Sequence, residues 1–298
     1  MGSGAWSEKS FTSYSTSRGR STSVDGVVLA SRLQDFYAQH RLHKDLNPYK
    51  VVRECCDTEE HPNTIPVILA LDVTGSMGGA CLKTAQQLNK IMTDLYDQFK
   101  DIEFMVMGIG DLAYDDAPIQ VSQYESDVRI AEHLDKIYME HGGGGNAYES
   151  YTAAWLVGVN NTKLDCWKRG KKGIIITLGD EPLNPHLPAY ELNKVLGTNF
   201  QAPVETTDLY PQVKEKFDVY HIAVDDREDC FDYYKTKIRN SWGQLLGDHY
   251  KEATLKELPQ IIVSCIANSV GEEAKVTRVE EVKTETTVPL FGGAAVAW

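Results

Sequence analysis

Four apolar runs, each leading straight into a glycine or an aspartate, constrain this chain more than any other feature. They are PVILALDV (66–73), IEFMVMGIG (102–110), KGIIITLGD (172–180) and FDVYHIAV (217–224). A strand with one face in water alternates apolar and polar residues, whereas a continuous apolar run of this length marks a strand covered on both faces. Between the first two runs, Leu82, Ala85, Leu88, Ile91, Leu95 and Phe99 recur at the three-to-four spacing of a helix. IQVSQ (119–123) is expected to be an edge or hairpin partner, and 127–138 and 147–160 to be helices. A last helix is expected at about 259–270, with Pro259 suited to its first turn. This alternation predicts a doubly wound, mainly parallel α/β sheet flanked by helices, Rossmann-like in layout. In such sheets ligands bind outside the carboxyl ends of the strands, where the strand order reverses.

Four segments follow from this pattern. Residues 1–24 form a Ser/Thr-rich arm with 11 Ser or Thr and only scattered large residues, either mobile or pinned against something else. Residues 25–64 are expected to be a helical extension and linker, because VDGVVLASRLQDFYAQHRL (24–42) reads as an amphipathic helix with Val28, Leu33, Phe36 and Tyr37 near one stripe. Residues 65–270 make the core domain. The tail, 271–298, holds a charged β-prone stretch and ends in PLFGGAAVAW, an added edge strand with a docking terminus or a disordered end.

With 298 residues and 42 % hydrophobic content, the chain has enough apolar mass for a sizeable core. No run approaches the roughly 18–20 apolar residues of a membrane-spanning helix, and the N-terminal stretch has no apolar signal core. Thirty basic against 43 acidic residues leave a net charge of −13, opposite to what a phosphate-backbone binder needs. Six cysteines without a CxxC or zinc spacing read as structural thiols, Cys55 and Cys56 included, which points to a reducing, cytoplasmic compartment.

The unusual residues sit at the strand ends. Asp72, Thr74 and Ser76 fall at i, i+2 and i+4 where the first run turns into its helix, bringing one carboxylate and two hydroxyls together. Hard cations such as Mg²⁺ take such oxygen ligands. Asp180 ends a second buried run and approaches the same rim. HGGGGNAYES (141–150) is a glycine-rich loop in which Asn146 offers a neutral oxygen. The bland reading of D-x-T-x-S is a helix N-cap. No GxxxxGK[ST] phosphate loop is present. A haloacid-dehalogenase-like phosphatase would need a second Asp where Thr74 stands. His221 reads as a core histidine, and nothing places His141 or His186 beside a nucleophile.

DVTGSM, the glycine-rich loop and the later strand ending in Asp together resemble the von Willebrand factor A domain and its metal-ion-dependent adhesion site, of the form DxSxS, then Thr or Asp, then Asp. GGGN-A-Y-E (143–149) is similar to the GGGDxPE loop of intracellular and bacterial members, with Glu149 retained, and LGDHYKEATLKELPQIIVSCIA (246–267) is similar to the family's last strand and helix. The resemblance covers about 65–270. It implies Asp72, Thr74, Ser76 and Asp180 as ligands of Mg²⁺, with Asn146 as the ligand in the third-loop position and Mn²⁺ or Ca²⁺ as alternative ions. Asn146 stands where the family has Thr or Asp.

The function so implied is Mg²⁺-dependent binding of a protein partner that supplies an Asp or Glu carboxylate, without enzymatic turnover. Through the family's bacterial associations, it extends to an adaptor or regulator of a MoxR-type AAA+ ATPase. The alternative is a structural or assembly protein, cellular or viral, that self-associates through its terminal arms.

Overall fold

The computed structural model describes residues 4–140, 146, 148–224 and 232–271 (Asp232 by its backbone alone). Its centre is a six-stranded sheet whose strands are β1 (Ile65–Asp72), β2 (Ile102–Ile109), β3 (Ile119–Val121), β4 (Gly173–Gly179), β5 (Phe217–Val224) and β6 (Tyr250–Ala253), in the order β3-β2-β1-β4-β5-β6. All neighbours are parallel except β3, which runs antiparallel on the edge beside β2. The expected doubly wound α/β architecture is therefore the observed one. Two short pairs lie apart from it, Arg53–Cys55 with Thr162–Leu164 and His186–Leu187 with Val204–Glu205.

The helices are α1 (Glu8–Ser17), α2 (Gly78–Tyr96), α3 (Arg129–Leu134), α4 (Thr152–Asn160), α5 (Ala189–Leu196), α6 (Thr206–Lys216), α7 (Asp232–Leu246) and α8 (Leu258–Val270). Side chains of a strand alternate between faces, and β1 shows why both faces must be covered. Val67, Leu69 and Leu71 enter one core with α2, α3 and α8, while Ile68 and Ala70 enter the other with α4, α5, α6 and α7. From β1 the chain winds out to β2 and β3, then returns to place β4 on the opposite side of β1. The order reverses between β1 and β4, so their following loops diverge and leave a crevice at the carboxyl ends of these two strands. Asp72 closes β1, and Asp180 directly follows β4.

Residues 24–42 correct the sequence reading. They form no amphipathic helix; the described path is extended and turned, with one short 3₁₀ turn at Leu33–Asp35. Gly26 sits at φ +73 in a tight turn closed by the Ser23 amide donating to Val27 O, and Thr22 bridges Val28. Val28 then donates its amide to Gln86 O of α2. A left-handed glycine next to two β-branched residues breaks the helical run, and burial of Val28, Phe36 and Tyr37 against α2 and its neighbours takes its place.

The N-terminal arm is pinned. Trp6 and Phe11 join the same core as α2 and α8, and the Trp6 indole donates to Asn89 Oδ1 at 3.1 Å. Tyr14 and Arg20 both donate to Asp135 Oδ2, at 2.6 and 2.7 Å. The tail lies outside the described residues beyond 271.

Candidate metal centre

Asp72 is fully buried at the end of β1. Its Oδ1 accepts the Thr74 amide at 2.9 Å and the Thr74 hydroxyl at 2.6 Å, the closed turn that an aspartate two residues upstream favours. Its Oδ2 accepts the Tyr151 hydroxyl at 2.6 Å. Ser76, exposed at the mouth of the crevice, donates its hydroxyl to Asp180 Oδ1 at 3.2 Å. Each threonine or serine hydroxyl thus turns its single proton toward a carboxylate.

This settles the helix-cap reading. Neither the 3₁₀ turn at Gly75–Met77 nor α2 has a side-chain hydrogen bond at its N-cap. Thr74 and Ser76 serve the carboxylates instead. A hydroxyl carries one proton and two lone pairs, so both oxygens retain electron pairs for a further ligand. Asp72 is more committed. Oδ1 already accepts two donors and Oδ2 one, which leaves it at most one direct lone pair, or contact through water.

The electrostatics are those of accumulated negative charge. Burial, and then the Asp180 charge, push the Asp72 carboxyl up to about 7, against the hydrogen bonds from Thr74 and Tyr151 that lower it. Glu149 is buried nearby, and its Oε2 has no hydrogen-bond partner among the described residues. Burial and then the charges of Asp72, Asp115, Asp111 and Glu181 push it up to about 10. The charges acting most strongly on Glu149 are all carboxylates, so a cation is the species that would relieve the crevice.

The donor set is hydroxyl and carboxylate oxygen throughout, which fits a hard ion such as Mg²⁺. Among the described residues no three Asp, Glu, His or Cys side chains group into a metal cage. An ion held here therefore depends on Thr74 and Ser76, on Asp72 and Asp180, and on water.

Of the five residues expected from the sequence, the structure pairs Thr74 with Asp72 and Ser76 with Asp180, and the Tyr151 hydroxyl links the two pairs across the β1–β4 crevice. Asn146 is placed differently. It is exposed, its side-chain Oδ1 accepts the Tyr148 amide at 3.2 Å, and the same side chain lowers the Asp111 carboxyl, on the loop after β2, against the raising effect of burial. No described contact joins it to the other four. The neighbouring residues 141–145 and 147, His141 among them, lie outside the described set.

Sequence reasoning missed Tyr151. This residue lies at the start of α4 and is fully buried. Its hydroxyl also accepts the Asp180 and Glu181 amides at 3.2 and 3.3 Å. The ring packs against His221 and Trp242, at centroid distances of 5.2 and 5.7 Å. Trp242 in turn donates its indole to Glu181 O at 3.1 Å. Gly179 makes this approach feasible, since a Cβ there would lie 2.3 Å from the Tyr151 hydroxyl and Cζ. The glycine ending the third apolar run was the available signal. His221 is a core histidine as expected, stacked 3.7 Å from Trp242 and hydrogen-bonded through Nδ1 to Thr177.

No protein-family model and no curated protein matches the sequence. Among solved structures, the chain is similar to the pilus adhesin SpaC from Lactobacillus rhamnosus GG in its open conformation, with 13 % identity and a TM-score of 0.46 over 71 % of this chain and 31 % of that one. It is also similar to the vWF domain of the type V pili tip protein Mfa5 from Porphyromonas gingivalis, with 10 % identity and a TM-score of 0.44 over 70 % of this chain and 95 % of that one. The chain thus spans about a third of the length of the SpaC adhesin.

Proposed function

We propose that this chain is a protein-interaction module that holds a divalent cation, Mg²⁺ foremost, at the β1–β4 crevice and through it binds a carboxylate of a protein partner. The observation that carries the reading is the proton arrangement: the Thr74 and Ser76 hydroxyls donate to Asp72 and Asp180, leaving neutral oxygen lone pairs at the rim. An ion bound largely by neutral oxygens stays electrophilic and inverts the sign of an otherwise repulsive acidic rim. It can then accept an Asp or Glu side chain from outside. The role is binding, with no turnover. Asn146 belongs to the rim in this reading, and a water can take its place. Mn²⁺ or Ca²⁺ would occupy the same oxygens.

A MoxR-type AAA+ ATPase as partner rests on the sequence resemblance alone. The cytoplasmic placement rests on the cysteines, since Cys55, Cys56, Cys81, Cys166 and Cys265 are all free thiols. No described helix is long and apolar enough to cross a membrane. Assembly through the terminal arms is the weaker reading, because Trp6 and Phe11 are buried in the chain's own core rather than available to a neighbour.

The test is calorimetric titration of Mg²⁺ and Mn²⁺ into the wild type and Asp72→Ala, followed by affinity capture of partners in Mg²⁺ and in EDTA. The reading expects saturable binding that Asp72→Ala removes. Absence of cation binding by the folded wild type overturns it.

A further inference from the structure

We propose that Tyr151 is a positioning residue of this metal centre, its hydroxyl oxygen being the shared vertex that sets Asp72 against the Asp180 loop. The inference rests on the cation reading above and adds the residue that shapes the site.

The hydrogen bonding around the phenol leaves no choice of direction. A tyrosine hydroxyl has one proton and two lone pairs. The Asp180 and Glu181 backbone amides can only donate, and both point at this oxygen, at 3.2 and 3.3 Å. Its own proton must therefore go to Asp72 Oδ2, at 2.6 Å. Thr74 holds the other oxygen of Asp72. The carboxylate is clamped at both ends, and its plane cannot turn without breaking one of these bonds.

The same atom anchors the loop that carries Asp180. The Glu181 peptide is gripped from both sides, its N–H by Tyr151 and its carbonyl by the Trp242 indole. Asp180 then reaches back to Ser76. The two carboxylates come from strands far apart in sequence, yet one buried oxygen fixes their separation. The ring cannot drift either, because it is wholly buried, lies against His221 and Trp242, and fills the space that Gly179 leaves open. Groups that orient metal ligands in this way typically account for about 10- to 100-fold in metal affinity.

The experiment is Mn²⁺ and Mg²⁺ titration calorimetry on the wild type, Tyr151→Phe, Asp72→Ala and Tyr96→Phe, with folding of each checked in EDTA by near-ultraviolet circular dichroism. Tyr96 is the control: a buried tyrosine that donates to Ile102 O at 2.6 Å, at the opposite end of the sheet. Expected are a dissociation constant raised about 10- to 100-fold in Tyr151→Phe, wild-type affinity in Tyr96→Phe and loss of binding in Asp72→Ala. Equal affinity of the wild type and Tyr151→Phe, with Asp72→Ala inactive, overturns the role of Tyr151 and leaves the cation reading standing. Equal weakening of both Tyr→Phe variants also overturns it, as a general loss of packing. No binding by the wild type overturns both. Should Tyr151→Phe not fold, site-specific 3-fluorotyrosine at 151 replaces it, since fluorine changes the donor strength of the phenol with little change in size. A shifted titration midpoint then supports the proposal, and an unchanged one overturns it.

Discussion

Ser76 donates its hydroxyl to Asp180 Oδ1 at 3.2 Å across 104 residues of sequence, joining the turn after β1 to the end of β4. That bond spans the place where the strand order reverses, and it makes a single rim of two loops that leave the sheet in different directions. The behaviour expected of the protein follows from what is gathered there.

Cation binding should be coupled to proton release. Burial and the Asp180 charge raise the Asp72 carboxyl to about 7, and a metal-binding carboxylate must be ionised. Affinity for Mg²⁺ is expected to fall about tenfold between about pH 8 and about pH 6, the change in the ionised fraction of a group titrating midway. Calorimetry in buffers of different ionisation enthalpy reads the released proton directly. Affinity independent of pH over that range would count against Asp72 as the coupled group.

Stability without metal should fall as pH rises. The carboxyls of Asp72 and Glu149 are raised from 3.8 and 4.5 to about 7 and about 10, so both groups bind protons more tightly in the folded chain than in the unfolded one. Their stabilising contribution is full below the unfolded values and is lost as pH climbs, that of Asp72 through about 7 and that of Glu149 through about 10. In EDTA the melting temperature is expected to decrease from about pH 5 to about pH 9, with a shallower slope in Glu149→Gln. Mg²⁺ should restore stability at the upper end by binding the folded state alone. Thermal melts at several pH values check this, and a rising melting temperature in EDTA contradicts it.

Gly179→Ala should strike the fold and the site together. The new methyl group would lie 2.3 Å from the Tyr151 hydroxyl and Cζ, and the ring has the Trp242 and His221 side chains behind it. Overpacking of this kind costs about 1–3 kcal/mol. Denaturant titration should show that loss, with cation affinity reduced in parallel. Unchanged affinity would mean that the ring can move without disturbing Asp72.

Trp6→Ala tests whether the arm is structural. The indole is buried, stacks at a tilt on Phe11 with 5.4 Å between centroids, and donates to Asn89. Truncating a buried tryptophan typically costs about 3–5 kcal/mol. Chemical denaturation should register it, while cation binding in the surviving folded fraction stays as in the wild type.

Partner binding should rank the rim residues. Asp72→Ala is expected to abolish capture of a carboxylate-bearing partner in Mg²⁺, and EDTA to do the same to the wild type. Asn146→Ala should weaken capture only slightly, because Asn146 is exposed and engages Asp111 rather than the four linked residues. Equal capture by all variants in both conditions would place the contact on another surface.

Much of this molecule is written in local pattern. The four apolar runs became β1, β2, β4 and β5 within a residue or so at each end, and the helical spacing after β1 became α2. Burial on both faces makes a strand an almost continuous apolar run, with only isolated polar residues such as Glu103, Thr177 and His221 inside it, so composition alone marks it. Helices α5, α6 and α7 were not legible. TTDLYPQVKEK carries an internal proline, and DYYKTKIRNSWGQLL is largely polar; each packs through only a few residues, such as Leu209 and Val213 or Ile238 and Trp242.

The sequence by itself determined the strands of the sheet and the turn that joins Asp72 to Thr74, because each arises from residues within a few positions of one another. Tertiary structure alone decided the rest of the site. Asp180 reaches Ser76, and Tyr151 reaches Asp72 from 79 residues away, only because the winding puts β4 beside β1 and Gly179 leaves room for a ring. Residues 24–42 follow the same rule. Their apolar stripe was real, but a left-handed Gly26 and the surface of α2 offered Val28, Phe36 and Tyr37 a burial that a free helix could not. Local periodicity states which side chains must leave water; the neighbours that chain topology supplies decide where they go.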